Sequence, residues 1–111
     1  MARHLVMLGM VLALAACGGD RRRDAVAFDG VYFKSSVSTT REDRRVFAVS
    51  VSPASASLEG AREAGRYEAV KYCVRTFGTS DMEWELGPDM PEESLVVVED
   101  ALTLRGRCLA R

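Results

Sequence analysis

Hydrophobic and polar residues alternate along two neighbouring stretches in the first half of the chain, Val31 to Ser38 and Val46 to Val51. An alternation of period two is typical of half-buried β-strands. The charged segment 41–44 separates the two stretches, and strands joined by a short turn pair antiparallel because they need no crossover connection. The pattern therefore predicts a β-hairpin, with Asp29-Gly30 as a turn before it.

Helix-permissive residues follow from Leu58 to Phe77. Ser57 stands at the N-cap position and Gly78 at the C′ position, where these residue types are favoured. Residues three and four apart form a mostly small stripe, which predicts that the helix packs closely across a sheet. The stripe consists of Leu58, Ala61, Gly65, Ala69 and Tyr72.

Three further strands are predicted in the last third of the chain. Residues 81–86 alternate, residues 95–98 form an apolar run, and residues 102–109 make the last strand, with Glu99-Asp100 as the turn between the last two. Residues 87–93 contain two prolines and are predicted to form an exposed loop.

The predicted order β-β-α-β-β-β indicates an α+β fold, in which a small antiparallel sheet carries one long helix on one of its faces. Trp84 lies on the apolar side of its predicted strand and is expected to pack in the core. The pattern does not specify the order of the strands within the sheet.

The start of the chain has a different pattern. Arg3 is followed by an apolar run from Leu5 to Leu14, which as a helix would be about 15 Å long, half of the ~30 Å that a spanning helix must cross. A basic start, a short apolar run and the small residues Ala15-Ala16 are typical of a secretory signal that is removed after export. Such a segment contributes nothing to the mature fold.

Leu14-Ala15-Ala16-Cys17 resembles the lipobox of bacterial lipoproteins, and the chain as a whole resembles small proteobacterial lipoproteins with a short anchored α+β domain. The resemblance implies cleavage before Cys17, a diacylglyceryl group on its thiol, and acylation of the freed amine by a fatty acid such as palmitate. Two or more acyl chains anchor a protein stably, whereas one does so marginally. Because Gly18 and not aspartate follows the cysteine, the resemblance implies the outer membrane in preference to the inner membrane, with the domain facing the periplasm.

These features divide the chain into a signal peptide (1–16), a lipidated flexible tether (17–27) and a single α+β domain (28–111). The tether has little apolar surface to bury, and its Arg21 to Arg23 segment is either solvated or held against anionic headgroups. One of the 15 basic residues, Arg3, leaves with the signal, so that 14 basic residues face 16 acidic ones. This balance argues against a nucleic-acid partner.

Two cysteines remain once Cys17 carries lipid: Cys73 late in the predicted helix and Cys108 on the last predicted strand. An even pair in an oxidising compartment predicts a disulfide, which here would join the helix to the sheet. The chain lacks the Cys-X-X-Cys spacing of redox-active pairs. The sequence therefore predicts a structural disulfide.

Residue types that serve catalysis are scarce in the predicted mature chain. The only histidine, His4, lies in the signal, and Lys34 and Lys71 fall on predicted surfaces. No serine stands in a Gly-X-Ser-X-Gly motif. Nitrogen and sulfur ligands for a metal are equally scarce. We therefore expect no enzymatic activity, no metal and no cofactor.

Carboxylates are concentrated between Arg75 and Arg105, an interval without a basic residue. Their spacing does not match a calcium-binding loop. Asp81, Glu83 and Glu85 occupy alternate positions and therefore share one face of the predicted strand, as solvated or paired residues do. We expect basic residues of the helix or the first hairpin to pair with these three. The alternative is docking of a partner, and the candidate residues are Asp81, Glu83, Glu85, Asp89, Glu92 and Glu93.

Three hypotheses for the function follow. The first is a membrane-anchored, non-enzymatic module that interacts with another envelope protein or has a structural role. The second is a module that binds a small ligand or a cation through the carboxylates of residues 81–100. The third, which is the least favoured, is a carboxylate-dependent hydrolase. A deep pocket with two carboxylates of raised pKa would favour the third, whereas an exposed apolar patch would favour the first.

Overall fold

The computed structural model of the chain describes residues 26–109. The predicted signal peptide (1–16) and all but the last two residues of the predicted tether (17–27), including Cys17, lie outside the described residues. The described chain contains one long helix and two antiparallel sheets, with 3₁₀ turns at Ala54–Ala56 and Glu92–Ser94. In chain order the elements are β1 (Ala27–Phe28), β2 (Val31–Tyr32), β3 (Lys34–Thr39), β4 (Val46–Ser52), α1 (Leu58–Phe77), β5 (Met82–Leu86), β6 (Val96–Val98) and β7 (Ala101–Cys108).

The larger sheet has the strand order β3-β4-β7-β5, with every pair antiparallel. β6 also pairs with β7, through residues 101–103, whereas β5 pairs with residues 105–108 of the same strand. β5 and β6 therefore lie one after the other along a single edge of the sheet. The predicted α+β class, with one helix packed on a small antiparallel sheet, is confirmed.

The predicted strand 31–38 is divided into two short elements. β2 pairs with β1 in a separate two-residue hairpin, whose turn residues Asp29 and Gly30 both have positive φ values, 53° and 74°. Asp-Gly is a favoured sequence for such a turn because its backbone twist matches that of the strands. After Phe33 the chain continues as β3, which forms the predicted hairpin with β4 from Lys34↔Ser52 to Thr39↔Phe47.

The helix begins and ends where the sequence predicts. The Ser57 hydroxyl accepts a hydrogen bond from the Gly60 N–H at 2.9 Å and donates one to Asp29 Oδ2 at 2.6 Å. At the other end, Gly78 has a φ of 71° and its N–H donates to the Val74 carbonyl. These bonds satisfy backbone groups that helix ends otherwise leave unpaired. No helix within residues 26–109 is long and apolar enough to cross a bilayer.

The core lies between the helix and one face of the sheet. Small residues of α1 face the sheet, and three of the five predicted stripe positions, Ala61, Gly65 and Ala69, are buried. The larger core side chains belong to the two central strands, where they alternate as the pattern predicts; they are Phe47, Val49 and Val51 of β4 and Leu102 and Leu104 of β7. Trp84 is half-buried and packs its ring edge-to-face with Phe47 at 5.6 Å.

The predicted disulfide between Cys73 and Cys108 is confirmed. The two Cα atoms are 5.6 Å apart, and both side chains are completely buried. The bond joins the last turns of α1 to the end of β7, so that it connects the helix covalently to a central strand of the sheet.

The loop prediction for residues 87–93 is wrong in its first part. Gly87 and Pro88 are buried, and exposure begins at Asp89. The reason is Arg62 on the helix, whose Nη1 donates hydrogen bonds to the carbonyls of Pro88 at 3.1 Å and Met90 at 2.8 Å. A composition rich in proline indicates a loop, but it does not reveal that a distant arginine holds that loop against the domain.

Candidate functional site

All six carboxylates predicted for partner docking are exposed. Asp81, Glu83 and Glu85 belong to β5 or directly precede it, and Asp89, Glu92 and Glu93 lie in the connection from β5 to β6. Because β5 and β6 occupy the same edge of the sheet, the structure brings the six side chains to one side of the domain. We call this set the acidic edge.

Two of these carboxylates form ion pairs. For Glu85, the prediction that its basic partner lies on the helix or the first hairpin is wrong. Its Oε1 lies 3.3 Å from Nη1 of Arg105 on β7, not beside a residue of the helix or the first hairpin. The reason is the strand order, because β5 pairs directly with β7 whereas the helix covers the opposite face. Within residues 26–109, Asp81, Glu83, Glu92 and Glu93 form no ion pair.

Asp89 is the second paired carboxylate, and its partner is Arg66 on the helix. The hydrogen bond from Arg66 lowers the pKa of Asp89 below its ordinary value, and the same bond raises the pKa of Arg66. Charged pairs of this kind hold both groups ionised. Together with Arg62, this pair fixes the β5–β6 loop against one flank of the helix.

A shallow cleft of about 380 Å³ lies beside the loop. Two carboxylates, Glu85 and Asp89, contribute to its lining, as the hydrolase hypothesis requires. However, both already pair with arginines, and the lowered pKa of Asp89 is opposite to the raised pKa that a general acid needs near neutral pH. Within residues 26–109, no three histidine, cysteine, aspartate or glutamate side chains come together as metal ligands.

Asp100 serves the fold and lies outside the acidic edge. Its Oδ1 accepts a hydrogen bond from the Ser55 N–H and its Oδ2 accepts one from the Ser55 hydroxyl, both at 2.8 Å. The Asp100 carbonyl also accepts a hydrogen bond from the Ala54 N–H. The Glu99-Asp100 turn, which the sequence predicts correctly, is thereby bound to the 3₁₀ turn that precedes the helix.

The acidic edge continues into an apolar strand. Val96, Val97 and Val98 of β6 are 37%, 46% and 57% exposed, and within the described residues β6 pairs with β7 alone. We call these residues the valine strip. The sequence predicts a strand here but not its exposure, because the apolar run of residues 95–98 is equally compatible with a buried strand.

A second cleft, of about 220 Å³, lies at the opposite side of the domain between the β1–β2 hairpin, β3 and the helix. Tyr32 and Tyr67 are far apart in the sequence, yet both line this cleft. Phe28 and Tyr67 place their ring centroids 5.6 Å apart, and the Lys71 ammonium lies 5.2 Å from the Tyr67 centroid. We call this surface the aromatic cleft; its lining also includes Val26, Phe33 and Glu68.

The fold defines a class of protein, a small disulfide-bonded α+β domain with one helix on an antiparallel sheet. No family model matches the chain, and searches among curated proteins and solved structures find no significant match. The function is therefore argued from the residues of this chain and their geometry.

Proposed function

We propose that this protein is a lipid-anchored envelope protein, held at the outer membrane through acylated Cys17 and facing the periplasm. We further propose that its domain is a non-enzymatic module that docks another envelope protein. The anchor is supported by the apolar run that ends in Leu14-Ala15-Ala16-Cys17 and by Gly18 after it. The buried Cys73–Cys108 disulfide is consistent with export, since disulfides persist in oxidising compartments.

The observation that carries the docking proposal is the valine strip beside the acidic edge. An open edge strand presents unpaired backbone donors and acceptors to which an extended segment can add as a further strand. Exposed valines supply apolar contacts for alternate side chains of such a segment, and neighbouring carboxylates favour basic residues in it. The partner that fits this surface is therefore a protein with an extended, basic and partly apolar segment.

Nothing in the described residues favours the other two hypotheses over this one. A cation module would need carboxylates that converge on one point, whereas those of the acidic edge are spread along β5 and the loop after it. A hydrolase would need a carboxyl group that holds a proton near neutral pH, and the effect of Arg66 on Asp89 is the reverse.

Replacing Cys17 with serine tests the anchor. We expect the Cys17→Ser variant to lose fatty-acid labelling and to leave the detergent phase, because its hydroxyl cannot form the thioether that carries the diacylglyceryl group. Metabolic labelling with a palmitate analogue and phase partitioning measure the two effects. Ala25→Ser is the matched control, since it introduces the same residue in the predicted tether and leaves both Cys17 and the Cys73–Cys108 disulfide in place. Unchanged labelling in Cys17→Ser would remove the anchor from the proposal.

Site-specific crosslinking tests the docking surface. A photo-reactive amino acid at Val97, in intact envelopes, is expected to give a discrete adduct. The same amino acid at Val74 is the matched control, because this valine is 48% exposed but lies on the helix. Reversing the charges of Glu92 and Glu93 to lysine should remove the Val97 adduct, since a basic segment would then be repelled. An equal yield of adduct from Val97 and Val74 would contradict the proposal. A Val97 adduct that still forms after the charge reversal would contradict it as well.

A further inference from the structure

The exposed large hydrophobic residues of the described chain fall mainly into two groups, which lie beside opposite edges of the larger sheet. One is the valine strip on β6, and the other belongs to the aromatic cleft, where Tyr32 is 68% exposed and Val26 and Tyr67 are also exposed. The strand order separates them, because β3 borders the aromatic cleft whereas β5 and β6 form the other edge. The two groups therefore belong to separate surfaces of the domain.

The electrostatic character of the two edges also differs. A shallow groove continues from the aromatic cleft along the boundary of β3 and the helix, past Lys71 to Arg75. The carboxylate in this lining is Glu68, which Lys71 approaches to 3.2 Å. The aromatic cleft and its groove therefore carry two basic residues against one acidic residue, whereas the acidic edge carries six carboxylates, of which Glu85 and Asp89 are paired with arginines.

The helix itself separates these two surfaces. Arg62 and Arg66 are one turn apart on the flank that holds the β5–β6 loop, and Tyr67 and Lys71 are one turn apart on the flank that lines the aromatic cleft. A planar surface that contacts the aromatic cleft would therefore leave the acidic edge on the far side of the domain.

The position of Val26 connects the aromatic cleft to the anchor. Val26 lines the cleft, and nine residue steps separate it from Cys17. At its greatest extension a chain of this length spans about 32 Å. An acylated Cys17 would therefore hold the aromatic cleft, where the described chain begins, within about 32 Å of the bilayer surface.

We propose that the domain docks on the phospholipid surface of its membrane through the aromatic cleft, an inference that rests on the proposed lipid anchor at Cys17. Tyr32 and Tyr67 lie at the headgroup level, where aromatic rings with one polar end are enriched. Lys71 and Arg75 face the lipid phosphates, because basic residues near an anionic leaflet are attracted to it. The acidic edge is repelled by the same leaflet, so that it and the valine strip point away from the membrane towards a protein partner.

Fluorescence quenching in vesicles tests this orientation. The full, lipidated protein is reconstituted into vesicles of phosphatidylethanolamine and phosphatidylglycerol whose acyl chains are brominated near the glycerol end. Tyr32→Trp is compared with Val98→Trp, since both positions are exposed and lie on opposite edges, and Trp84 gives the same background in each. We expect severalfold stronger quenching and a blue-shifted emission for Tyr32→Trp. Adding Lys71→Glu and Arg75→Glu to Tyr32→Trp should weaken its quenching.

Vesicle flotation separates failure of the docking from failure of the anchor. A protein that floats with the vesicles but shows equal quenching at both positions is anchored without docking, and the inference is then wrong. Stronger quenching of Val98→Trp would reverse the orientation and would also overturn it. A change in Tyr32→Trp emission on adding soluble glycan fragments, without lipid quenching, would assign the aromatic cleft to a sugar instead. A protein that does not float would remove the anchor and this inference together.

Discussion

Replacing both Cys73 and Cys108 with alanine is expected to lower the free energy of unfolding by about 2–5 kcal/mol, the usual loss when a small domain is deprived of a native disulfide. The two residues are 35 positions apart, and the chain-entropy model gives roughly 4 kcal/mol for a loop of this length. The rest of the domain cannot easily compensate, because a chain of about 100 residues buries a limited fraction of its surface. The helix face at the sheet is also built from alanine and glycine, which contribute little apolar area each.

Urea denaturation followed by circular dichroism measures this loss. The unsubstituted protein unfolded in the presence of a reductant is the matched control and should lose a similar amount, because reduction opens the same bond without changing the core residues. Two thiols that react with an alkylating reagent in the native, oxidised protein would contradict the bond itself. A loss below about 1 kcal/mol would mean that the unfolded chain is constrained by other contacts.

The disulfide could be predicted from the number of cysteines, and the limits of the helix could be predicted because the capping residues act locally. Two cysteines remain after Cys17 is assigned to lipid, so that one pairing is possible. Ser57 and Gly78 form hydrogen bonds with backbone groups within four residues of themselves. Because these bonds are local, the ends of the helix can be predicted from the sequence. The buried faces of β4 and β7 can also be predicted locally, since side chains alternate between the two faces of a strand wherever it lies in the sheet.

The features that the sequence did not reveal depend on residues far apart along the chain. The burial of Pro88 depends on Arg62, which lies 26 positions earlier, and the pairing of Glu85 with Arg105 depends on the order of strands. The break of the first predicted strand at Phe33 follows from the β1–β2 hairpin packing on the helix as a separate unit. Hydrophobic periodicity reports which face of a strand is buried, but it does not report which strand lies beside it.

The candidate surfaces could be predicted to different degrees. The exposure of Asp81, Glu83 and Glu85 followed from their alternation and that of the other three from the predicted loop, and all six are exposed. Their collection on one edge required the observation that β5 and β6 pair with successive parts of β7. The aromatic cleft could not be predicted, because Tyr32 and Tyr67 are brought together by the packing of the hairpin against the helix.

Gly106→Val is expected to destabilise the domain by about 3 kcal/mol, at the upper end of the effect of forcing extra atoms into a packed core. Gly106 lies in the central strand β7, opposite Phe47 on β4 and Trp84 on β5. A Cβ atom at this position would lie 2.7 Å from the carbonyl oxygen of Glu83 and 2.9 Å from Cζ of Phe47. The first of these is a backbone atom of a paired strand, so it cannot move without disturbing the pairing of β5.

The two aromatic rings explain why glycine is tolerated in a central strand, where it usually weakens the sheet. The rings of Phe47 and Trp84 meet edge-to-face, at an interplanar angle of 85°, over the space that a Gly106 side chain would fill. Valine has a higher β-propensity than glycine. Replacing glycine also reduces the conformational entropy of the unfolded chain, which would favour the folded state. A net loss would therefore show that packing outweighs both of these contributions.

Thr103→Val is the matched control, because it introduces the same side chain on the same strand at a half-buried position. This control is expected to change the free energy of unfolding by less than about 1 kcal/mol, as most substitutions outside a packed core do. Urea denaturation of both variants, with near-ultraviolet circular dichroism to report the Trp84 environment, measures the difference. If Gly106→Val were no less stable than Thr103→Val, the close packing of Phe47 and Trp84 over Gly106 would be wrong. The register that places these three residues side by side would then be wrong as well.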